Sequence, residues 1–293
     1  MKKHINFIVI PLLIILMAMK SDKAAYQYFT PKGKKITYEK MMKQIKEADV
    51  VFFGELHNNA MSHWMELEIA KDLVAAKGEN LVMGAEMFEA DGQLLIDEYL
   101  SGKVKKKYYD DQARLWPNYK TDYAPLLKLA KDNKLKFIAT NVPRRYAAIV
   151  NGGGFEALND LSDEAKKYMA PLPIKYDATV GCYKKMEAMM SHMPGAKHGA
   201  SNIAKSQALK DATMAHFILK NWTKGQTFYH FNGSYHSDDH EGIVWWLKQQ
   251  NPKLKILTIT TVEQENLDSV ADTTDLSRAD FIFTVDEDIT KTY

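Results

Sequence analysis

Val50-Val51-Phe52-Phe53-Gly54-Glu55-Leu56-His57 is the stretch that decides the fold. Four β-branched or aromatic residues run unbroken into a glycine, and an uninterrupted apolar run of that length reads as a strand covered on both faces, as in a parallel sheet. Glu55 and His57 follow two apart, so strand alternation would project them the same way. Asn58 or Asn59 can then cap a following helix. In open α/β sheets ligands bind beyond the carboxyl ends of the strands, and Glu55 and His57 stand there.

Outward from this stretch the pattern repeats. Leu81-Val82-Met83, Lys136 to Ala139, Thr227 to Phe231, Leu254 to Ile259 and Phe281-Ile282-Phe283 are further short apolar runs. Between them Met61, Trp64, Met65, Ile69 and Leu73 fall at helical spacing, as do Ala204, Ala208, Ala212, Ala215 and Leu219, and both stripes read as core faces. The alternation predicts an α/β protein, a mainly parallel sheet flanked by helices. Residues 151–203 differ: Gly152-Gly153-Gly154, Pro171, Pro173, Gly181, Pro194, Gly195 and Gly199 punctuate short helical pieces. They predict a small helical cap over the sheet, the kind of segment that covers binding sites.

The chain has 293 residues, 46% apolar and 26% charged, which is a globular composition. A single cysteine forms no intrachain bridge and excludes a thiolate zinc site or an iron–sulfur cluster, so metal chemistry falls to His, Asp, Glu and Tyr. Thirty-nine basic against 37 acidic residues, with no dense basic stripe beyond Lys103 to Lys107, give no nucleic-acid footprint. The first residues are basic and Ile5 to Met19 are almost wholly apolar, so residues 1–25 are expected to be a signal peptide or N-terminal anchor, preceding an α/β domain over 26–293. Export to the periplasm or cell envelope is the expectation. No cysteine near that run offers a lipid-attachment point. Without residues 1–25 the net charge is −1.

Two further strand ends carry polar residues. Gly84-Ala85-Glu86-Met87-Phe88-Glu89 places Glu86 just after a buried run, where a carboxylate needs a partner; an ion pair with Arg144 or Arg145 is the bland solution. His230 to His240 holds three histidines, and His236 stands three after Gly233 as His57 stands three after Gly54. Two Gly-x-x-His turns would bring two imidazoles to one rim. His230, inside the strand, reads as a packed core histidine, and His240 as a solvated one. Gln207, Asp211 and Met214 share a helical face that meets either water or the cleft. No His-Glu-x-x-His helix, Gly-x-Ser-x-Gly elbow, phosphate loop or Gly-x-Gly-x-x-Gly turn is present.

Taken with Trp116, Tyr123-Ala124-Pro125, Asn141-Val142-Pro143-Arg144 and Asp211-Ala212-Thr213-Met214, these motifs resemble, in order, the ChaN family of iron-regulated haem-binding proteins over about residues 38–262. The wider group includes Tiki metalloproteases, TraB-like proteins and erythromycin esterases. The resemblance implies an exported haem-binding protein of haem and iron uptake, with haem as cofactor, a homodimer and envelope haem-uptake components as partners. It implies a tyrosine among the haem ligands, for which Tyr119, Tyr123, Tyr176 and Tyr235 are candidates. Arg144 and Arg145 would meet the propionates. The alternative is a hydrolase in which Glu55, His57, Glu86 and His236 are catalytic, with a divalent metal on His57, His236 and Glu55 or with no metal.

Overall fold

A computed structural model describes residues 24–191 and 200–293. The apolar runs become strands β3 (Val50–Glu55), β4 (Leu81–Glu89), β5 (Lys136–Asn141), β6 (Thr227–Gly233), β7 (Ile256–Gln264) and β8 (Phe281–Asp286). All six pair in parallel, in the order β8-β7-β3-β6-β4-β5. Two short strands, β1 (Tyr26–Phe29) and β2 (Lys35–Ile36), add antiparallel on the β8 edge and complete an eight-stranded sheet. The fold is thus the expected α/β class. The antiparallel edge is not signalled by any long apolar run.

Alternation explains why the central strands are apolar throughout. Val51, Phe53, Met83, Tyr229 and Phe231 face one core, and Val50, Phe52, Val82 and Phe228 face the other. The first core is covered by α1 (Tyr38–Ile45), α2 (Ala60–Lys77), α3 (Gln93–Leu100), α4 (Lys106–Gln112) and α5 (Ala124–Asp132). Along α2, Met65, Ile69, Ala70 and Leu73 are buried, whereas Trp64 is 42% exposed and edges the stripe beside Tyr26. Asn59 caps α2, its Oδ1 accepting from the Ser62 amide at 2.9 Å.

The second core is covered by α9 (Ala200–Asn221) and α10 (Ile243–Gln250). Ala204, Ala208, Ala212 and Ala215 of α9 let that long helix lie close on the sheet. Between β5 and α9 the chain forms α6 (Arg144–Gly153), α7 (Asp163–Lys166) and α8 (Gly181–Ser191) with irregular connections. Residues 1–23 and 192–199 lie outside the described residues, and with them nearly all of the proposed signal segment. Among the described residues no helix is long and apolar enough to cross a membrane.

The topology sets the site. After β3 the chain crosses to β4, leaving a gap that β6 fills later, so the ends of β3, β6 and β4 lie side by side. Elements on both faces of the sheet meet at that rim.

Candidate haem site

Glu55 and His57 meet directly, the Glu55 carboxylate holding His57 Nδ1 at 2.7 Å. Burial alone would raise the Glu55 carboxyl, but His57 and His63 against it hold it below the ordinary value. His57 shows the converse: burial opposes its charge, and Glu55 raises it above the ordinary histidine value. With Nδ1 engaged, the ring turns Nε2 towards Gly233, where an added Cβ would stand 2.7 Å from Nε2. Trp116 flanks the ring at a centroid distance of 4.9 Å.

Glu86 lies on the opposite face of the sheet. Alternation puts it there, since Met83, Ala85 and Met87 all face the first core; the register of β4 against β5 slips between Ala85 and Glu89. Glu86 Oε2 accepts from the Gly233 amide at 2.9 Å and Oε1 lies 3.1 Å from His236 Nε2. Its partner is therefore His236 and not Arg144 or Arg145. Asp211 of α9 binds His236 Nδ1, and Tyr183 donates to Asp211 at 2.8 Å while accepting from Trp246 Nε1 at 2.8 Å. Burial would lower the His236 pKa, yet the carboxylates of Glu86 and Asp211 raise it to about 10. His236 is thus held protonated at neutral pH, clamped at both nitrogens. The polar edge of α9 faces the cleft, since Gln207 Nε2 also lies 2.9 Å from His236 Nε2.

Both Gly-x-x-His turns therefore reach one cavity of about 630 Å³, lined by Glu55, His57, Glu86, Trp116, Arg144 and His236 among others. Met87, Met186, Lys210 and Tyr235 complete the walls that matter here. Of the four candidate tyrosines only Tyr235 lines it, with its hydroxyl donating to the Cys182 carbonyl. Tyr119 is buried beside Phe88 and Tyr109. Tyr176 packs on Phe155 and Tyr183, with its hydroxyl donating to Glu187 at 3.2 Å. Tyr123 is buried and donates to Glu55 Oε1 at 2.6 Å, from a π-helical turn, Tyr119–Tyr123, that runs into α5. Arg145 points away, bonding Asp91 at 2.6 Å and lying over Tyr146. His230 is buried, its Nε2 2.8 Å from Thr140 Oγ1 and its Nδ1 3.0 Å from Asn232 Oδ1, and His240 is exposed beside Asp280.

The sequence reading passed over His63 and Glu66, which lie behind Glu55 on α2. His63 Nδ1 is 3.1 Å from Glu66 Oε2, and His63 Nε2 donates to the His57 carbonyl at 3.0 Å. Burial, then the charge of Glu55, push the Glu66 carboxyl far above its ordinary value. The available signal was a His/Glu pair three residues apart, in line with Ile69 and Leu73 on the buried face of an otherwise apolar helix stripe.

The sequence profile of the family described as haem-binding uptake, Tiki superfamily, ChaN matches residues 41–247. The chain belongs to the ChaN family. Among solved structures it is similar to ChaN of Campylobacter jejuni, which binds haem cofacially, at 18% identity and a TM-score of 0.66, covering 88% of this chain and 96% of that one. A succinoglycan biosynthesis protein shares the fold at 13% identity and a TM-score of 0.50, covering 85% and 90%. Among curated proteins, Protein RETICULATA-RELATED 5 of Arabidopsis thaliana is 27% identical over 146 residues, 48% of this chain. The match spans about a fifth of that relative's length, 19%. ChaN membership and the shared α/β fold agree with the geometry of the rim.

Proposed function

We propose that this ChaN-family chain binds haem in the cavity at the ends of β3, β4 and β6, as an exported protein of haem or iron uptake. The observation that carries the reading is His57: its Nδ1 is tied to a buried carboxylate and its Nε2 is turned to the cavity. That is how a protein orients an imidazole for iron, because the carboxylate fixes the ring and raises its basicity. The cavity volume of about 630 Å³ lies within the roughly 300–1,000 Å³ range of cofactor sites. Trp116, Met87 and Met186 offer apolar wall, and Arg144 and Lys210 offer cations for the two propionates. A bound haem would supply iron with an open coordination position, while these side chains orient the macrocycle.

Cofacial haem in the C. jejuni relative supports a haem-linked homodimer here, with envelope haem-uptake components as partners. The basic and apolar head supports export.

Haem titration of the chain beginning at Tyr26 tests the function. A saturable Soret band at micromolar haem, a rise to dimer mass in light scattering, and weakening by about ten-fold or more in His57→Ala are the expected results. Absence of a saturable band in the wild type would overturn the proposal. Retention in His57→Ala with loss in Tyr235→Phe would move the ligand to Tyr235. Mass spectrometry of the envelope fraction checks the export reading, which expects a chain lacking the head.

A further inference from the structure

Behind the cavity wall, on the α2 side of the sheet, lies a polar cluster that the haem reading does not use. His63 and Glu66 project from successive turns of α2 towards Glu55, and Asn118 and Asp122 close the far side. Glu55 is 1% exposed, Glu66 0% and His63 5%. Ligand atoms of Glu55, His63 and Glu66 all lie within 4.8 Å of one another, with His63 Nδ1 3.1 Å from Glu66 Oε2 and 3.7 Å from Glu55 Oε2. Donors bound at about 2.1 Å to a single cation stand roughly 3.0–3.4 Å apart in octahedral or tetrahedral array. His63 Nδ1 and Glu66 Oε2 already stand at that spacing, and Glu55 Oε2, 3.7 Å from Nδ1, reaches the same cation by a small shift.

A second observation points the same way. Glu55 Oε2 and Glu66 Oε1 are buried and no N–H or hydroxyl donor reaches either, so without a cation only a proton shared between the two carboxyls satisfies them. The groups around them are arranged as an outer shell. His63 Nε2 donates to the His57 carbonyl at 3.0 Å, so Nδ1 is the nitrogen left for the cluster, and a cation there takes the place of the proton that Nδ1 otherwise shares with Glu66. Tyr123 donates to Glu55 Oε1 at 2.6 Å, leaving Oε2 for the cluster.

We propose that Glu55, His63 and Glu66 form a buried divalent-cation site, separate from the haem cavity and sharing with it only Glu55. Two carboxylates and one imidazole in a shell of this size suit Mn²⁺, Fe²⁺ or Zn²⁺; Ca²⁺ takes longer bonds and more oxygens, and Cu⁺ takes sulfur. A cation there fixes the carboxylate that holds His57 Nδ1, so the site serves the cavity by positioning. The set differs from the Glu55, His57 and His236 set read from the sequence, in which Glu55 Oε1 is spent on His57 Nδ1 and His236 Nε2 on Glu86.

The test is a titration of haem-free, chelator-stripped protein with Mn²⁺ and Zn²⁺, followed by anomalous diffraction from Mn²⁺-soaked crystals of the wild type. One equivalent per chain and an anomalous peak between Glu55, His63 and Glu66 are expected. His63→Ala and Glu66→Gln should each weaken binding by at least about ten-fold, while His57→Ala keeps a stoichiometric cation. No bound cation at about 100 µM metal, a peak elsewhere, undiminished binding in both cluster variants, or loss in His57→Ala would overturn the proposal. The wild-type diffraction decides even where a variant fails to fold, and no arm depends on haem.

Discussion

Gly54 and Gly233 are glycines for want of space, and the two spaces belong to different things. An added Cβ on Gly54 would stand 2.9 Å from Ser234 Cα and 3.0 Å from the Ile259 carbonyl oxygen. Both obstacles are backbone, Ser234 just past β6 and Ile259 within β7, and cannot swing aside. On Gly233 the obstacle is the His57 ring, a side chain at a cavity wall that is one-third exposed. Gly54→Ala should therefore destabilise by about 1–3 kcal/mol, the usual cost of overpacking, read as a lower urea midpoint. Gly233→Ala should leave the midpoint within about 1 kcal/mol yet weaken haem binding by about ten-fold as His57 is displaced. Equal stability losses in the two variants would refute this division. The paired Gly-x-x-His turns were legible in the sequence because strand periodicity and one short spacing suffice to place them. His63 and Glu66 were not, since a stripe of Met65, Ile69 and Leu73 reads as core whatever sits between its members, and only the packed helix shows what those residues face. The haem-site tyrosines fared similarly. Nearness in sequence to the strand-end motifs or a place in the expected cap named four candidates, but Tyr119, Tyr123 and Tyr176 do not line the cavity, their rings packing against other side chains.

At the scale of the element, β6 shows what periodicity could and could not say. Its alternation put Tyr229 and Phe231 on one face and Phe228, His230 and Asn232 on the other, and a buried strand could be read from it directly. That a core histidine carries a pH liability follows only from its surroundings. His230 is fully enclosed, and burial lowers its pKa to about 4. A histidine depressed in the folded state adds stability above its unfolded value of about 6.5, and that stability is lost as pH falls from there towards 4. His236 runs the opposite way: its raised value adds stability below about 6.5 that is lost as pH climbs through about 10. The two windows do not overlap, so a variant can separate them. Replacing His230 by Asn removes the acid-side component, and the stability gap between wild type and His230→Asn should shrink by about 2 kcal/mol between pH 7 and pH 5. Urea unfolding at the two pH values measures it, and a constant gap would contradict the burial argument. The end of β4 is the other lesson at this scale. Glu86 could be assigned to a strand end, and alternation with Ala85 and Met87 sets its face, but its partner could not be read, because His236 comes from the turn after β6 and only the strand order brings that turn beside β4.

The whole molecule joins its described ends. β1 adds antiparallel to β8, the last strand, with Tyr28 opposite Phe283 and Phe29 opposite Ile282. No run of apolar residues announced β1, whose four residues include Gln27, so the sequence reading stopped at a boundary near residue 25 and left the sheet edge open. Yet Tyr28 is 2% exposed and Phe29 0%, and the Tyr28 ring stacks on Phe283 at 5.1 Å. Removing β1 would leave the edge of β8 as a row of unpaired backbone groups and forfeit the burial of those two side chains. Burial of one such side chain contributes about 1.5–3 kcal/mol, so the pair alone accounts for about 3–6 kcal/mol. A chain starting at Ala24 should unfold in urea at the same midpoint as a longer one, because nothing of β1 is lost. A chain starting at Pro31 should lose roughly that stability and associate through the exposed β8 edge, visible as larger species in light scattering. Equal midpoints for the two chains would mean that β1 is an ornament of the sheet, and that processing of the head could trim past Tyr26 without consequence. A clear difference fixes the position beyond which removal of the head would begin to cost the fold.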